Sequence, residues 1–245
     1  AMFYYTREFN QPIVQNSAPG GWNTHNVNDM SYMFAGAQVF DQSLSSWDTS
    51  SLVNLTCMFQ DSAEFNSPIV KTAGGWNMAS AMYMGSMFAG ARKFNQSIAS
   101  WNTSSVVSMN GMFNGAPVYN QPMPSTVGGW DTSNVVDMYA MFYSAPKFNQ
   151  DLNSWDVGNV SNFGLMFAWA RDFNGSVADW DTHSATLMFD MFHGASSFNS
   201  PVNNWDVSHV SHFNGMFGNA TAFNQPLNNW NPANAYYMGG MFFNA

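Results

Sequence analysis

Five histidines, one cysteine and a recurring aspartate are the residues of this chain that could do chemistry. His209 and His212 stand three apart, a spacing that puts two imidazoles on one face of a helical segment, where they could share a metal ion. No third ligand follows at a fixed spacing, and His25, His183 and His193 are scattered. Cys57 stands alone, so the chain builds no disulfide framework of its own. Every tryptophan of a nine-membered series is followed by Asp or Asn, and Asp131, Asp156, Asp181 and Asp206 are consecutive members of that column. Stacked carboxylates repel unless a hard cation such as Ca²⁺ lies between them, which makes these four the calcium candidates. The competing reading has each Asp accept N–H groups of its own turn, and it is preferred, so neither metal nor cofactor is assigned. No Ser/His/Asp constellation stands apart from the surrounding pattern, and the expectation is a protein that is not an enzyme.

The pattern that holds these residues is a repeat. A Met-Phe pair recurs in register ten times, from Met2 to Met241, at steps of 31, 25, 29, 25, 29, 25, 25, 25 and 25 residues. A fixed period in this range signals stacked supersecondary units. Aligned on Trp22, Trp47, Trp76, Trp101, Trp130, Trp155, Trp180, Trp205 and Trp230, one turn reads F-N-x-x-Φ-x-x-W-[DN]-x-x-[NSH]-[VLA]-x-x-[MLF]-x-x-M-F-x-x-[AS]. In the fifth turn Val135, Met138, Met141, Phe142 and Ala145 fall at offsets of 0, 3, 6, 7 and 10, the face of a short helical segment. The stretch around Leu152 to Trp155 suits a brief parallel strand. The spacing therefore predicts a leucine-rich-repeat-like solenoid of about nine turns, one short strand and one short helical segment per turn of ~25 residues, rising ~4.8 Å per turn. Residues 1–245 form a single solenoid domain on this reading. Both termini fall inside the repeat without a polar cap, so the chain is expected to be part of a longer array or of an end-to-end assembly.

Composition bounds the partners. Charged residues are 9% of the chain, so its surface must be wetted by Asn, Ser, Thr, Gln and Gly, which suits an extracellular setting. A net charge of −9 with six basic residues excludes a nucleic-acid surface, because nothing could neutralise a run of phosphates. No apolar run reaches the ~20 residues of a membrane span. No leader pattern stands at the start, so a secreted chain is expected to carry that segment elsewhere.

Departures from the repeat are the candidate sites. Three insertions, Gln11–Gly21, Ser67–Gly75 and Gln121–Gly129, fall between the aromatic-Asn pair and the Trp, where per-repeat insertions mark either a binding face or tolerated loops. They contribute Pro122, Pro124 and Lys71. Trp169 occupies a column otherwise rich in Gly and Asn, near Tyr139 and Tyr143, and either projects as an anchor for a sugar or protein or folds back on its own segment. The Asn of each Phe-Asn pair is expected to face inward as a ladder of amides, with Asp41 a local irregularity for want of an NH₂ donor. Of six N-x-[ST] sequons, Asn95 and Asn174 are then protected, and Asn54, Asn159 and Asn219 are the glycosylation candidates.

Phe148-Asn149-Gln150-Asp151-Leu152-Asn153-Ser154-Trp155-Asp156-Val157 and the matching stretch 198–207 resemble the BspA-like leucine-rich-repeat surface-protein family, seen also in mycoplasma lipoprotein repeats. The resemblance runs the length of the chain. It implies a cell-surface protein engaged in adhesion, with proteins or glycans of a host or neighbouring cell as partners and no catalytic residues to carry over. The alternative is a structural subunit of an extracellular filament or coat that stacks end to end.

Overall fold

Backbone amides in the fifth turn point alternately along and across the molecule. The N–H groups of Met138, Ala140, Phe142 and Ser144 donate to the carbonyls of Asn162, Gly164, Met166 and Ala168, one turn on, at 2.8–3.1 Å. Between them Met141, Tyr143 and Ala145 donate three residues back, to Met138, Ala140 and Phe142, at 3.1–3.2 Å. The same alternation recurs through the computed structural model, which describes residues 2–14, 22–70 and 76–245. The chain is a column of stacked coils, each tied to the next by its main chain.

The expected turn of strand plus helix is overturned. No α-helix and no extended strand occurs among the described residues. Parallel pairing is confined to isolated bridges, such as Asp137 to Asn162 and Asn162 to Leu187, and these lie in the half-turn expected to be helical. Leu152 to Trp155 is a tight turn closed by the Trp155 N–H on the Leu152 carbonyl at 3.0 Å. A leucine-rich-repeat-like solenoid is therefore not the architecture. The cause is local. Ala140 and Ser144 have φ of 52° and 51°, and in every described turn the residue before the Met-Phe pair and the second residue after it are left-handed. A left-handed residue every four positions ends a right-handed helix before its first i to i−4 bond can be followed by a second. Successive three-residue turns still throw Val135, Met138, Met141, Phe142 and Ala145 inward, and all five are buried.

Two columns of rings fill the core. The Phe of each Met-Phe pair, from Phe3 to Phe242, stacks on its equivalent one turn on, with centroids 5.3–5.7 Å apart and planes within 11°. Beside it Phe9, Phe40, Phe65, Phe94, Tyr119, Phe148, Phe173, Phe198 and Phe223 form a second column. Within one turn the two columns meet closely, at 3.8 Å between Phe142 and Phe148. Each such pair contributes about 0.5–1.5 kcal/mol beyond its buried area. The tryptophans close the third side: the Trp155 indole N–H donates to the Met123 carbonyl at 2.8 Å, and Trp47, Trp76, Trp101, Trp180, Trp205 and Trp230 make the equivalent bond.

The Asn ladder exists but faces outward. Asn149 Oδ1 accepts the Asn174 N–H at 2.8 Å, and Asn174 Oδ1 accepts the Asn199 N–H at 2.8 Å, with both side chains exposed. Only the acceptor oxygen is used, so Asp41 fits without irregularity and accepts the Asn66 N–H at 2.8 Å.

Candidate functional site

Trp169 is the largest side chain in the left-handed column that follows each Met-Phe pair, with φ of 62°. Its neighbours one turn either way are Ser144 and Gly194. A bulky residue in this backbone region is an outlier that costs about 1–3 kcal/mol, whereas Gly sits there freely. The indole neither projects nor folds on its own segment. It lies along the stack over Gly194, so closely that a Cβ at Gly194 would meet the benzo ring at 2.6 Å. Its centroid is 5.3 Å from that of His193, whose Nε2 is 3.2 Å from the Asn219 amide. Trp169 stays 39% exposed, the only tryptophan among the large exposed apolar side chains of the described residues.

The ring forms a wall of two shallow depressions. One, of about 400 Å³, is lined by Tyr143, Ser144, Pro146, Trp169 and Arg171. The other is lined by Tyr143, Leu165, Ala168, Trp169, Asp190 and His193. Tyr143 and Trp169 belong to both. The first side offers a cation and a hydroxyl, the second a carboxylate and an imidazole, with His193 Nδ1 3.3 Å from Asp190 Oδ1.

The other candidates are not brought to this place. Tyr139 is half-buried with its ring 6.1 Å from that of Phe189, and it lines neither depression. Pro122 and Pro124 are exposed on the third insertion, where Pro124 lines a separate hollow with Asp151, Asn153 and Ser154. Lys71 lies outside the described residues, as do parts of the first two insertions. Sequence reasoning passed over Arg171, Ser144 and Asp190 as partners of Trp169. Their signal was register, since Ser144 and Trp169 share a column and Arg171 follows two residues later.

The family model described as Mycoplasma protein of unknown function, DUF285, matches residues 1–126, 70–177 and 155–245, which together take in the whole chain. The chain belongs to the DUF285 family. Overlapping matches are what a repeat produces when a model several turns long is laid along it in successive registers. No curated protein matches this DUF285 chain, and no solved structure does.

The acidic column of this DUF285 chain is spoken for locally. Asp131, Asp156, Asp181 and Asp206 each turn Oδ1 to the N–H two residues on, at Ser133, Gly158, His183 and Ser208, over 2.9–3.2 Å. His183 hydrogen-bonds Asp181 and holds its carboxyl below the usual range, and Ser208 does the same for Asp206. Among the described residues no three His, Cys, Asp or Glu side chains form a group that could hold a metal. His209 and His212 turn Nδ1 to Ser208 and Ser211, at 3.3 and 2.7 Å. Cys57 is buried, and desolvation raises its thiol pKa, which keeps it protonated and a poor nucleophile.

The sequon reading changes with the ladder. Asn159 is exposed, but its Nδ2 donates to the Ser133 carbonyl at 2.7 Å. Asn54 is half-buried with Nδ2 on Asp29 at 3.3 Å, and Asn219 Nδ2 is 3.2 Å from the His193 ring. Asn174, expected to be protected inside, is exposed and uses only its oxygen in the ladder.

Proposed function

We propose that this chain is a non-catalytic extracellular surface protein whose stacked repeat displays an aromatic contact site for adhesion to proteins or glycans of a host or neighbouring cell. One observation carries the reading. Trp169 holds a strained left-handed position that Gly occupies in four other described turns, and its indole is kept half-open between two depressions rather than sealed in the core. Strain retained at a surface aromatic is a mark of use, since nothing in the core needs that ring. The resemblance to BspA-like surface proteins supports the cell surface as its place of work.

The test is adherence of beads coated with the chain to cultured epithelial cells. Wild-type beads are expected to adhere, beads carrying a chain without Ser125–Gly128, a deletion that keeps the buried Met123, to adhere equally, and Trp169→Gly beads to wash off. Wild-type beads that wash off would sink the reading.

A second reading, a filament or coat subunit stacking end to end, is supported by the ring columns, whose turn-to-turn stacking at 5.3–5.7 Å is a geometry that a second copy could continue. Light scattering at high concentration decides it: growth into long particles supports stacking, and a lasting monomer speaks against it.

A further inference from the structure

The edge that carries Trp169 also gathers the cations. Five of the six basic residues, Arg7, Arg92, Lys93, Lys147 and Arg171, stand four or five positions after the Phe of a Met-Phe pair. Lys93 is paired with Glu64, and Lys147 with Asp172 at 2.9 Å. Among the described residues no carboxylate lies in ion-pairing reach of Arg7, Arg92 or Arg171. Arg171 is the unpaired guanidinium that shares a depression with Trp169. Three turns earlier Arg92 lines an equivalent hollow, but there the aromatic is Tyr5, over Gly36, and Asp61 stands beside it.

We propose, building on the adhesion reading, that the Trp169 depression binds an acidic sugar residue of a cell-surface glycan. The indole packs against the C–H face of the sugar ring, for which an exposed aromatic face is suited. Arg171 takes the carboxylate through its two-pronged guanidinium, a contact stronger than a neutral hydrogen bond and specific for a planar acid. The hydroxyls of Ser144 and Tyr143 are left for ring hydroxyls. Orientation is built in: Asp190 on the far side of the indole repels a carboxylate there, so the acid end points to Arg171. The net charge of −9 works against a polyanion, and the ligand is a glycan with one or few acid groups, held by contact rather than drawn in by a long-range field.

The experiment is calorimetric titration of the whole chain with two matched pairs, sialyllactose against lactose and a galacturonic acid trisaccharide against its neutral galactose counterpart. At least one acid member is expected to bind about tenfold tighter than its neutral partner. Arg171→Gln removes that preference while leaving weak binding of the neutral sugar, and Trp169→Gly removes both. Arg92→Gln changes nothing. Equal affinity within each pair, or acid preference surviving in Arg171→Gln, overturns the proposal. Beads that adhere to cells although no sugar of either pair binds overturn it while leaving the adhesion reading standing. Sugar binding without adherence does the reverse.

Discussion

The Asp41 carboxylate accepts the backbone N–H of Asn66 at 2.8 Å, the same bond that Asn149 makes to Asn174. An acid and an amide are thus equivalent on this ladder, because it draws on one oxygen per turn. Asn120 is a doubly used rung, like Asn10, Asn66, Asn95 and Asn199, accepting from the Asn149 N–H at 2.9 Å and from the Gln150 amide at 2.7 Å. Asn120→Asp is expected to melt within about a degree or two of wild type, and Asn120→Leu to lose about 0.5–1.5 kcal/mol, the net value of a hydrogen bond whose exposed Asn149 N–H water can take over. Chemical denaturation of the two variants compares them.

The indole N–H of Trp130 is buried and, among the described residues, has no acceptor. The third insertion precedes it, and its ring is tilted 32° to that of Trp155, whereas Trp180 and Trp205 lie within 9°. Substitution by Phe should therefore cost less at 130 than at 155, by about 0.5–1.5 kcal/mol, the net value of one hydrogen bond. Equal losses in urea melts would mean that the Trp130 N–H is satisfied in solution.

Acid should loosen the column in a defined window. Asp48 is lowered from 3.8 to about 2, first by the Ser50 hydroxyl and N–H and then by His25. A carboxyl depressed on folding stabilises above its unfolded pKa and loses that contribution as pH falls through the folded one. Stability attributable to Asp48 is thus complete above pH ~4 and gone near pH ~2. Asp48→Asn is expected to flatten that part of the curve of melting temperature against pH.

Calcium should matter little. Asp131, Asp156, Asp181 and Asp206 already accept an N–H of their own turn. The melting temperature in excess chelator is expected to equal that in millimolar calcium, and a clear drop would place an ion between these carboxylates.

The register, the inward set and the odd residue at 169 were all legible in the sequence. The backbone was not, since offsets of 0, 3, 6, 7 and 10 are shared by a helix and by a run of three-residue turns. The cue that separates them is glycine. Gly111 and Gly115 occupy the two left-handed columns within one turn, four residues apart, where a helix would be weakened twice. The ladder was misplaced because the apolar neighbours of each Asn suggested burial, while the amide oxygen needed only the next backbone N–H, available at the surface. Trp169 stood out by type and Arg171 follows two residues on, but Ser144 and Asp190 meet it only through the stacking of successive turns, a relation that depends on the path of the backbone.

The central claim is that Trp169 is kept for contact and not for the fold. Melting temperature and cell binding of Trp169→Gly, measured on one preparation of labelled chain, test it most directly. Relief of about 1–3 kcal/mol of left-handed strain offsets the packing lost over Gly194, so the variant should melt within a few degrees of wild type. The account predicts that this stable variant no longer binds cells. Binding equal to wild type would contradict it.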